Sequence, residues 1–366
     1  MSGHDETAIE MAMRLKVGVI GCGAIAQIQH LPHLHELGAE FEIGGLCDLS
    51  AGLLEALGQE YGVPPARRFL DYRDLVGSDV DAVIVCPAGS HAAPTIAAAR
   101  AGKHVFVEKP MSTTVAEAEA MVAAAARAGT VLMVGYMKRH EPAYRYAQAR
   151  VGEMSDVRFV QVNHLAEFTV RRFDDVSQEA REAVEAEHGR GVAEALGYAD
   201  SAQLPPAILR AYSTILGSMI HDIGNLHGLF GPPVRALSSE IWADGRGIST
   251  VLEYPGERRA VCTWVDLPEL WDFRETLEVY GSRERVLVSF PSGFARGLPS
   301  TVVLHGMDAD RTPWKKELSW HDNPFRLELR HFRECVLEGK TPTTDGRAAV
   351  HDIALVGDIV RAYLNK

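Results

Sequence analysis

The sequence predicts an α/β protein. A doubly wound parallel sheet stands at the N-terminus, and an α+β unit with a large, mostly antiparallel sheet follows it. Three observations predict this. From Lys16 to Gly135, short continuous apolar runs alternate with helix patterns, as in strands covered on both faces by helices. Beyond Gly135 the pattern changes to apolar–polar alternation with close turn signals, Pro255-Gly256 and Gly281-Ser282, as in an antiparallel sheet. The 366 residues are also too many for one ordinary core.

In chain order, strands are expected at Lys16 to Ile20, Glu42 to Cys47, Ala82 to Cys86, His104 to Val107 and Val131 to Gly135. Helices fall between them at Ala24 to Leu37, Ser50 to Tyr61, Ser90 to Ala101 and Thr113 to Ala128. The second unit opens with a long strand, Arg158 to Phe168. A charged helical stretch, Ser177 to Leu196, is expected next as a lid or a subunit contact, then a helix from Pro206 to Phe230. Strands follow at Ala236 to Trp242, Gly247 to Tyr254, Ala260 to Val265, Arg274 to Tyr280 and Arg285 to Ser289. Two helices, Pro324 to Leu337 and Asp345 to Leu364, close the chain and are expected to pack back on the first unit. The division expected is a lead-in over 1–14, a nucleotide-binding domain over 15–135, and a substrate-binding and dimerisation domain over 136–366.

A net charge of −12 gives no basic face for nucleic acid. No run approaches the ~20 apolar residues of a membrane helix. The cysteines at 22, 47, 86, 262 and 335 include no CxxC pair, so neither a zinc site nor a disulfide framework is expected. They read as buried, reduced thiols of a cytoplasmic protein. No metal is expected.

Gly21, Gly23 and Ala26 form a GxGxxA turn directly after the first strand and at the start of a helix. Gly21 permits the tight turn, Gly23 leaves room for a pyrophosphate, and Ala26 lets helix and strand pack closely. The helix start at Ala24 and Ile25 offers free N–H groups to phosphate. Asp48 ends the second strand, 25 residues past Gly23, and Leu49, Ser50 and Ala51 follow it with no cation. A carboxylate there accepts from a ribose 2′-hydroxyl and repels a 2′-phosphate, so NAD is expected rather than NADP; Asp48 also suits a helix cap. The pattern is a Rossmann dinucleotide fold. Its ligands bind beyond the carboxyl ends of the strands, where Cys86, Pro87, His91, Glu108 and Lys109 fall. His91 equally suits local packing at a helix start.

In combination, the segments GCGAIA, CPAGSH, VEKP, GYMKRHEPAY and IHDIGNLHGLFG resemble the Gfo/Idh/MocA family of sugar and polyol dehydrogenases, from about Leu15 onward. The resemblance implies that Lys109 lies beside the nicotinamide and that Tyr136, Lys138 and Arg139 line the cleft between domains. It also implies an Asp and a His four residues apart on a helix of the second domain. His221 matches the histidine, but Gly217 stands where the acid belongs. Asp222 is about 100° round an ideal helix from His221 and reads as a cap, a structural pair or a substrate contact.

Lys109 is expected to hold the reacting oxygen with a lowered pKa, and His221 to act as general base. Lys138, Arg139, His164, Arg171, Arg172, Trp264 and Trp271 suit a sugar-like ligand, with polar groups for hydroxyls and aromatic faces for C–H surfaces. The expected activity is NAD-dependent hydride transfer to or from a secondary hydroxyl of a sugar, polyol or glycoside. Two alternatives stay open: an NAD-dependent glycoside hydrolase working through transient oxidation, and a non-catalytic sugar sensor. An open face of the second sheet leads to an expected homodimer or homotetramer.

Overall fold

The structure is a computed structural model that describes residues 14–166, 178–267, 269–270 and 272–365. Arg171, Arg172, Trp271 and nearly all of the expected lead-in lie outside these residues. Arg14, the last residue of that lead-in, donates from its guanidinium to the Phe41 carbonyl at 3.1 Å.

Six parallel strands form the first sheet: β1 (Leu15–Ile20), β2 (Phe41–Cys47), β3 (Arg68–Phe69), β4 (Ala82–Val85), β5 (His104–Glu108) and β6 (Leu132–Gly135). Their order is β3-β2-β1-β4-β5-β6, the doubly wound arrangement that the sequence predicts. Successive residues serve opposite faces. Phe106 enters one core with Leu15, Val17, Val19 and Ile84, while Val105 and Val107 enter the other with Val83 and Val85.

Eight strands form the second sheet: β7 (Phe159–Leu165), β8 (Arg235–Trp242), β9 (Gly247–Glu253), β10 (Arg259–Val265), β11 (Arg274–Tyr280), β12 (Glu284–Phe290), β13 (Ser300–Met307) and β14 (Pro313–Trp320). The order is β14-β13-β12-β11-β7-β10-β9-β8. Only β7 and β10 pair in parallel; every other ladder is antiparallel.

Helix Pro324–Glu338 places Leu329 and Phe332 in the core beneath the first sheet, with Phe332 edge-on to Phe106 at 5.7 Å. Helix Gly346–Leu364 packs on helix Val115–Ala128 and on β8. Its Ile353, Val356 and Ile359 join a core that runs from the first sheet into the second.

Among the elements beyond the sequence reading are β3, β13, β14 and one helix. β3 has two residues, too few to show a period. β13 and β14 extend the sheet past Ser289, and β14 is an exposed edge carrying Lys315 and Lys316, the kind of charge that blunts an open edge and hides the strand pattern. Helix Pro142–Glu153 buries Ala143, Tyr144, Ala147 and Val151, a stripe too short in bulk to stand out. No helix among the described residues is long and apolar enough to cross a membrane.

Candidate active site

The glycine loop is built as its motif requires. Gly21 has φ +87°, and a Cβ there would stand 2.3 Å from backbone atoms of Pro87. Only glycine fits. Gly23 would meet nothing within 4 Å, so the loop is open where a pyrophosphate would approach, and the helix begins at Ala24. Asp48 does not cap the following helix, since Ser50 does that by accepting from the Leu53 amide at 3.0 Å. Asp48 accepts from the Cys22 amide at 2.8 Å, which ties the glycine loop to the end of β2. These residues fit a dinucleotide: an open glycine cradle, a helix start and an acid at the second strand.

Several residues expected at the cofactor also brace the loops around it. The Cys86 thiol donates to the Gly21 carbonyl at 3.1 Å, and Pro87 backs the same glycine. His91 bridges the Pro87 and Glu108 carbonyls at 3.0 Å each, and burial lowers its pKa. Glu108 pairs with the buried His30 at 2.7 Å. Its other oxygen accepts from the Lys109 amide at 3.0 Å.

Beyond the carboxyl ends of β5 and β6 lies a cavity of about 240 Å³. Ile25, Glu108, Lys109, Lys138, His164 and His221 are among its lining residues. Trp264, His164 and Glu275 in its lining share one register row across the second sheet. Trp264 pairs with His164, His164 with Glu275, and Glu275 with Phe290. On β7, the buried alternate residues are Val160, Val162 and His164, so the histidine takes a core position at the cavity. Its Nδ1 lies 2.8 Å from the buried Asp222 carboxylate. Asp222 does not line the cavity but stands behind His164. The Lys138 ammonium pairs with Glu275 and lies 5.2 Å from the centre of the Phe290 ring. Among the described residues, His164, Asp222 and Glu275 alone gather three metal-type donors within 4.8 Å of one another; Lys138 already supplies a cation there.

Tyr136 and Arg139 correct the expected cleft lining. Tyr136 is buried against Gly224, and burial with Asp352 beside it pushes its phenol well up. Arg139 donates to the Gly224 carbonyl at 3.2 Å. Between them Lys138 reaches the cavity, because a tight turn at Met137–His140 sends neighbouring side chains different ways. Among the described residues, Trp264 is the tryptophan that lines the cavity. The sequence reading missed Glu275, Phe273 and Ser218. Glu275 carried a signal: it falls in phase with Leu277 and Val279 on the inward face of β11.

Helix Pro206–Thr214 runs into helix Ile220–Phe230 through a π-helical turn, Ile215–Met219. Such turns often mark functional positions. Gly217 and Ser218 on this turn line the cavity together with His221. The Lys109 ammonium donates to the Gly217 carbonyl at 2.6 Å, and a Cβ on Gly217 would meet nothing within 4 Å. Burial lowers the Lys109 pKa, against the pull of Glu108. Burial also holds His221 well below the ordinary histidine range, and Lys109, Lys138 and His164 add to this. Its Nδ1 is buried without a hydrogen-bond partner. Helix Gln178–Leu196 crosses from the second sheet's helices to the first sheet's loops. Val184 and Glu187 lie against Gly89, Gly191 against Thr113, and His188 bonds Ser213 at 2.7 Å.

The fold and the glycine loop together define a dinucleotide-binding α/β protein with a sheet-walled cavity. Residues 15–136 match the family model of the Gfo/Idh/MocA oxidoreductases, described as an NAD-binding Rossmann fold. An inositol 2-dehydrogenase from Paracoccus denitrificans is 38% identical over 146 residues, 39% of this chain and 43% of that protein. The match thus spans well under half the length of that relative. A D-apiose dehydrogenase from Paraburkholderia graminis is 27% identical over 97% of this chain and 91% of its own length. Among solved structures, an aldose–aldose oxidoreductase from Caulobacter crescentus superposes with a TM-score of 0.73 at 24% identity, over 96% of this chain and 98% of that one. A 3-ketoreductase from Actinomadura kijaniata, in complex with NADP, superposes with a TM-score of 0.70 at 22% identity, over 94% and 96%. At such identities the two structures show a shared fold.

Proposed function

We propose that the protein is a cytoplasmic, NAD-dependent oxidoreductase that moves a hydride between the nicotinamide and a secondary hydroxyl of a sugar, polyol or glycoside. The observation that carries this reading is the placement of Lys109 in one small cavity with His164, His221 and Lys138, beyond the carboxyl ends of β5 and β6. The names of the relatives, inositol 2-dehydrogenase and D-apiose dehydrogenase, support the substrate class. Asp48 favours NAD, since its carboxylate suits a 2′-hydroxyl and repels a phosphate. The cavity's hydroxyl, carboxylate, ammonium and ring nitrogens beside Trp264 and Phe273 suit a polyhydroxylated ring.

The bound cofactor would supply the hydride chemistry. Gly21, Gly23, Ala24 and Ile25 would hold it from the glycine loop, with Asp48 at the ribose and Lys109 at the mouth of the cavity. The chain's own residues position the substrate and move its proton. Lys109 donates to the reacting oxygen and stabilises negative charge there, and its partial burial strengthens that interaction. His221 also faces the cavity, as the resemblance implies. Five buried free thiols suit a reducing compartment, and a second copy covering the open face of the eight-stranded sheet suits a homodimer or homotetramer.

The test is a screen of inositols, aldoses and glycosides with NAD and NADP, reading nicotinamide absorbance and product release in parallel. Reduced cofactor accumulating with a polyol or aldose supports the reading; no turnover across the panel refutes it. Gly217, with open space where the family acid is expected, favours a second reading, redox-assisted glycoside cleavage. That reading predicts release of aglycone without accumulation of reduced cofactor in the same assay.

A further inference from the structure

We infer that the His164–Asp222 pair, rather than His221, is the group that takes the proton from the substrate hydroxyl. This rests on the oxidoreductase reading and names a catalytic residue within it.

Asp222 is a buried carboxylate whose Oδ2 lies 2.8 Å from His164 Nδ1. An ionised carboxylate only accepts, so Nδ1 carries the hydrogen and Nε2 keeps its lone pair. Nε2 lies 3.5 Å from Ser218 Oγ and 3.7 Å from Glu275 Oε2, both too long for a firm hydrogen bond. Ser218 Oγ accepts from Trp264 Nε1 at 2.9 Å, which leaves its own hydrogen to turn toward the Nε2 lone pair. The ring therefore offers a basic nitrogen beside the cavity, fixed in orientation by an acid behind it.

His221 has the opposite surroundings. Its Nδ1 is sealed without a partner, and no carboxylate stands four residues before it. Charge added to its ring would face the ammonium groups of Lys109 and Lys138, and no carboxylate among the described residues backs its Nδ1. Charge added to His164 would rest between Asp222 and Glu275.

The substrate O–H bond breaks, and its proton goes to His164 Nε2 while Asp222 stabilises the imidazolium. The carbinol C–H bond breaks, and its hydrogen leaves with both electrons as hydride to the oxidised cofactor, so the carbon becomes a carbonyl. The groups facing His164 are Asp222 and His221 from helix Ile220–Phe230, Glu275 from β11 and Lys138 from the turn after β6.

The test compares His164→Gln and His221→Gln in the full chain with NAD and a polyol that the wild type turns over. His164→Gln is expected to lower kcat by about 10²-fold or more, with KM and dinucleotide affinity within about threefold and the acidic limb of the pH–rate profile lost. His221→Gln is expected to lose less than about tenfold. The inference is overturned if His164→Gln keeps its rate and limb while His221→Gln loses them. Nitrogen NMR of the wild-type chain reads the ring without turnover. Hydrogen on Nδ1, redistributed in Asp222→Asn, is the expected state, and hydrogen on Nε2 overturns the inference even if the rates agree. A wild type that oxidises nothing refutes the oxidoreductase reading, and the NMR result then separates a sound His–Asp pair from an absent one.

Discussion

At the scale of single residues, Lys109 and Asp48 carry separate parts of the proposed chemistry. Lys109 reaches the cavity while its backbone is held by Glu108, so its side chain can be changed without disturbing the strand. Lys109→Met is expected to lower kcat/KM by about 10²–10³-fold, the scale of one lost charge-stabilising donor, with dinucleotide affinity nearly unchanged by fluorescence titration. The ammonium must stay charged to donate, and burial lowers its pKa. Activity should therefore fall on the alkaline side at a pH below the ~10.4 of a free lysine, and a pH–rate profile checks this. Asp48 holds the Cys22 and Ser50 amides. Asp48→Asn removes its charge and keeps an accepting oxygen. The ratio of kcat/KM with NADP to that with NAD should rise at least tenfold; an unchanged ratio would remove Asp48 from cofactor choice.

At the scale of elements, helix Pro324–Glu338 acts as a clasp, the C-terminal part of the chain closing the core of the N-terminal sheet. Phe332 is fully buried there against Phe106. Phe332→Ala is expected to cost about 3–5 kcal/mol, measured by denaturant unfolding, and to destabilise the nucleotide-binding sheet although the mutation lies some 200 residues away in sequence. The elements also show what was legible in advance. The strands and helices of the first sheet could be read because each is an unbroken apolar run or a clear helical stripe. β14 could not, since an exposed edge strand has no face that must be apolar. In the candidate site, Lys109, Lys138, His164 and His221, all singled out from the sequence, line the cavity. Tyr136 and Arg139 were misplaced, because a motif gives adjacency in sequence and a 3₁₀ turn decides which side chain faces the cavity. Ser218 was hidden by the π-helical turn, which breaks the spacing that an ideal helix would impose.

At the scale of the whole molecule, buried histidines govern the response to acid. Burial lowers the pKa of His33 to about 4 and of His140 to about 3. It also lowers those of His91, His104, His188, His221 and His331. In the unfolded chain these rings bind protons near pH 6.5, and in the folded chain only at lower pH. The unfolded state thus binds more protons below that pH, and stability falls as pH falls. Glu141, raised by burial to about 7, and Glu328, also raised by burial, act in the opposite sense, but seven histidines outweigh two carboxyls. The melting temperature should decline steadily from about pH 6.5 to 4.5. A flat profile would show that these rings are not held neutral, and His140→Asn should make the decline shallower.

The sequence alone determined the fold class and the glycine loop, because both follow from local rules: a hydrophobic period sets the element, and a tight turn admits only glycine. It also placed a lysine at the end of β5. The company that lysine keeps was decided by tertiary structure. The row Trp264–His164–Glu275–Phe290 joins three consecutive strands, β10, β11 and β12, to β7, which lies far earlier in the chain, and Asp222 reaches it from a helix. Such neighbours follow from strand order and register, which pair residues across more than a hundred positions of sequence and leave no periodic trace in any one segment.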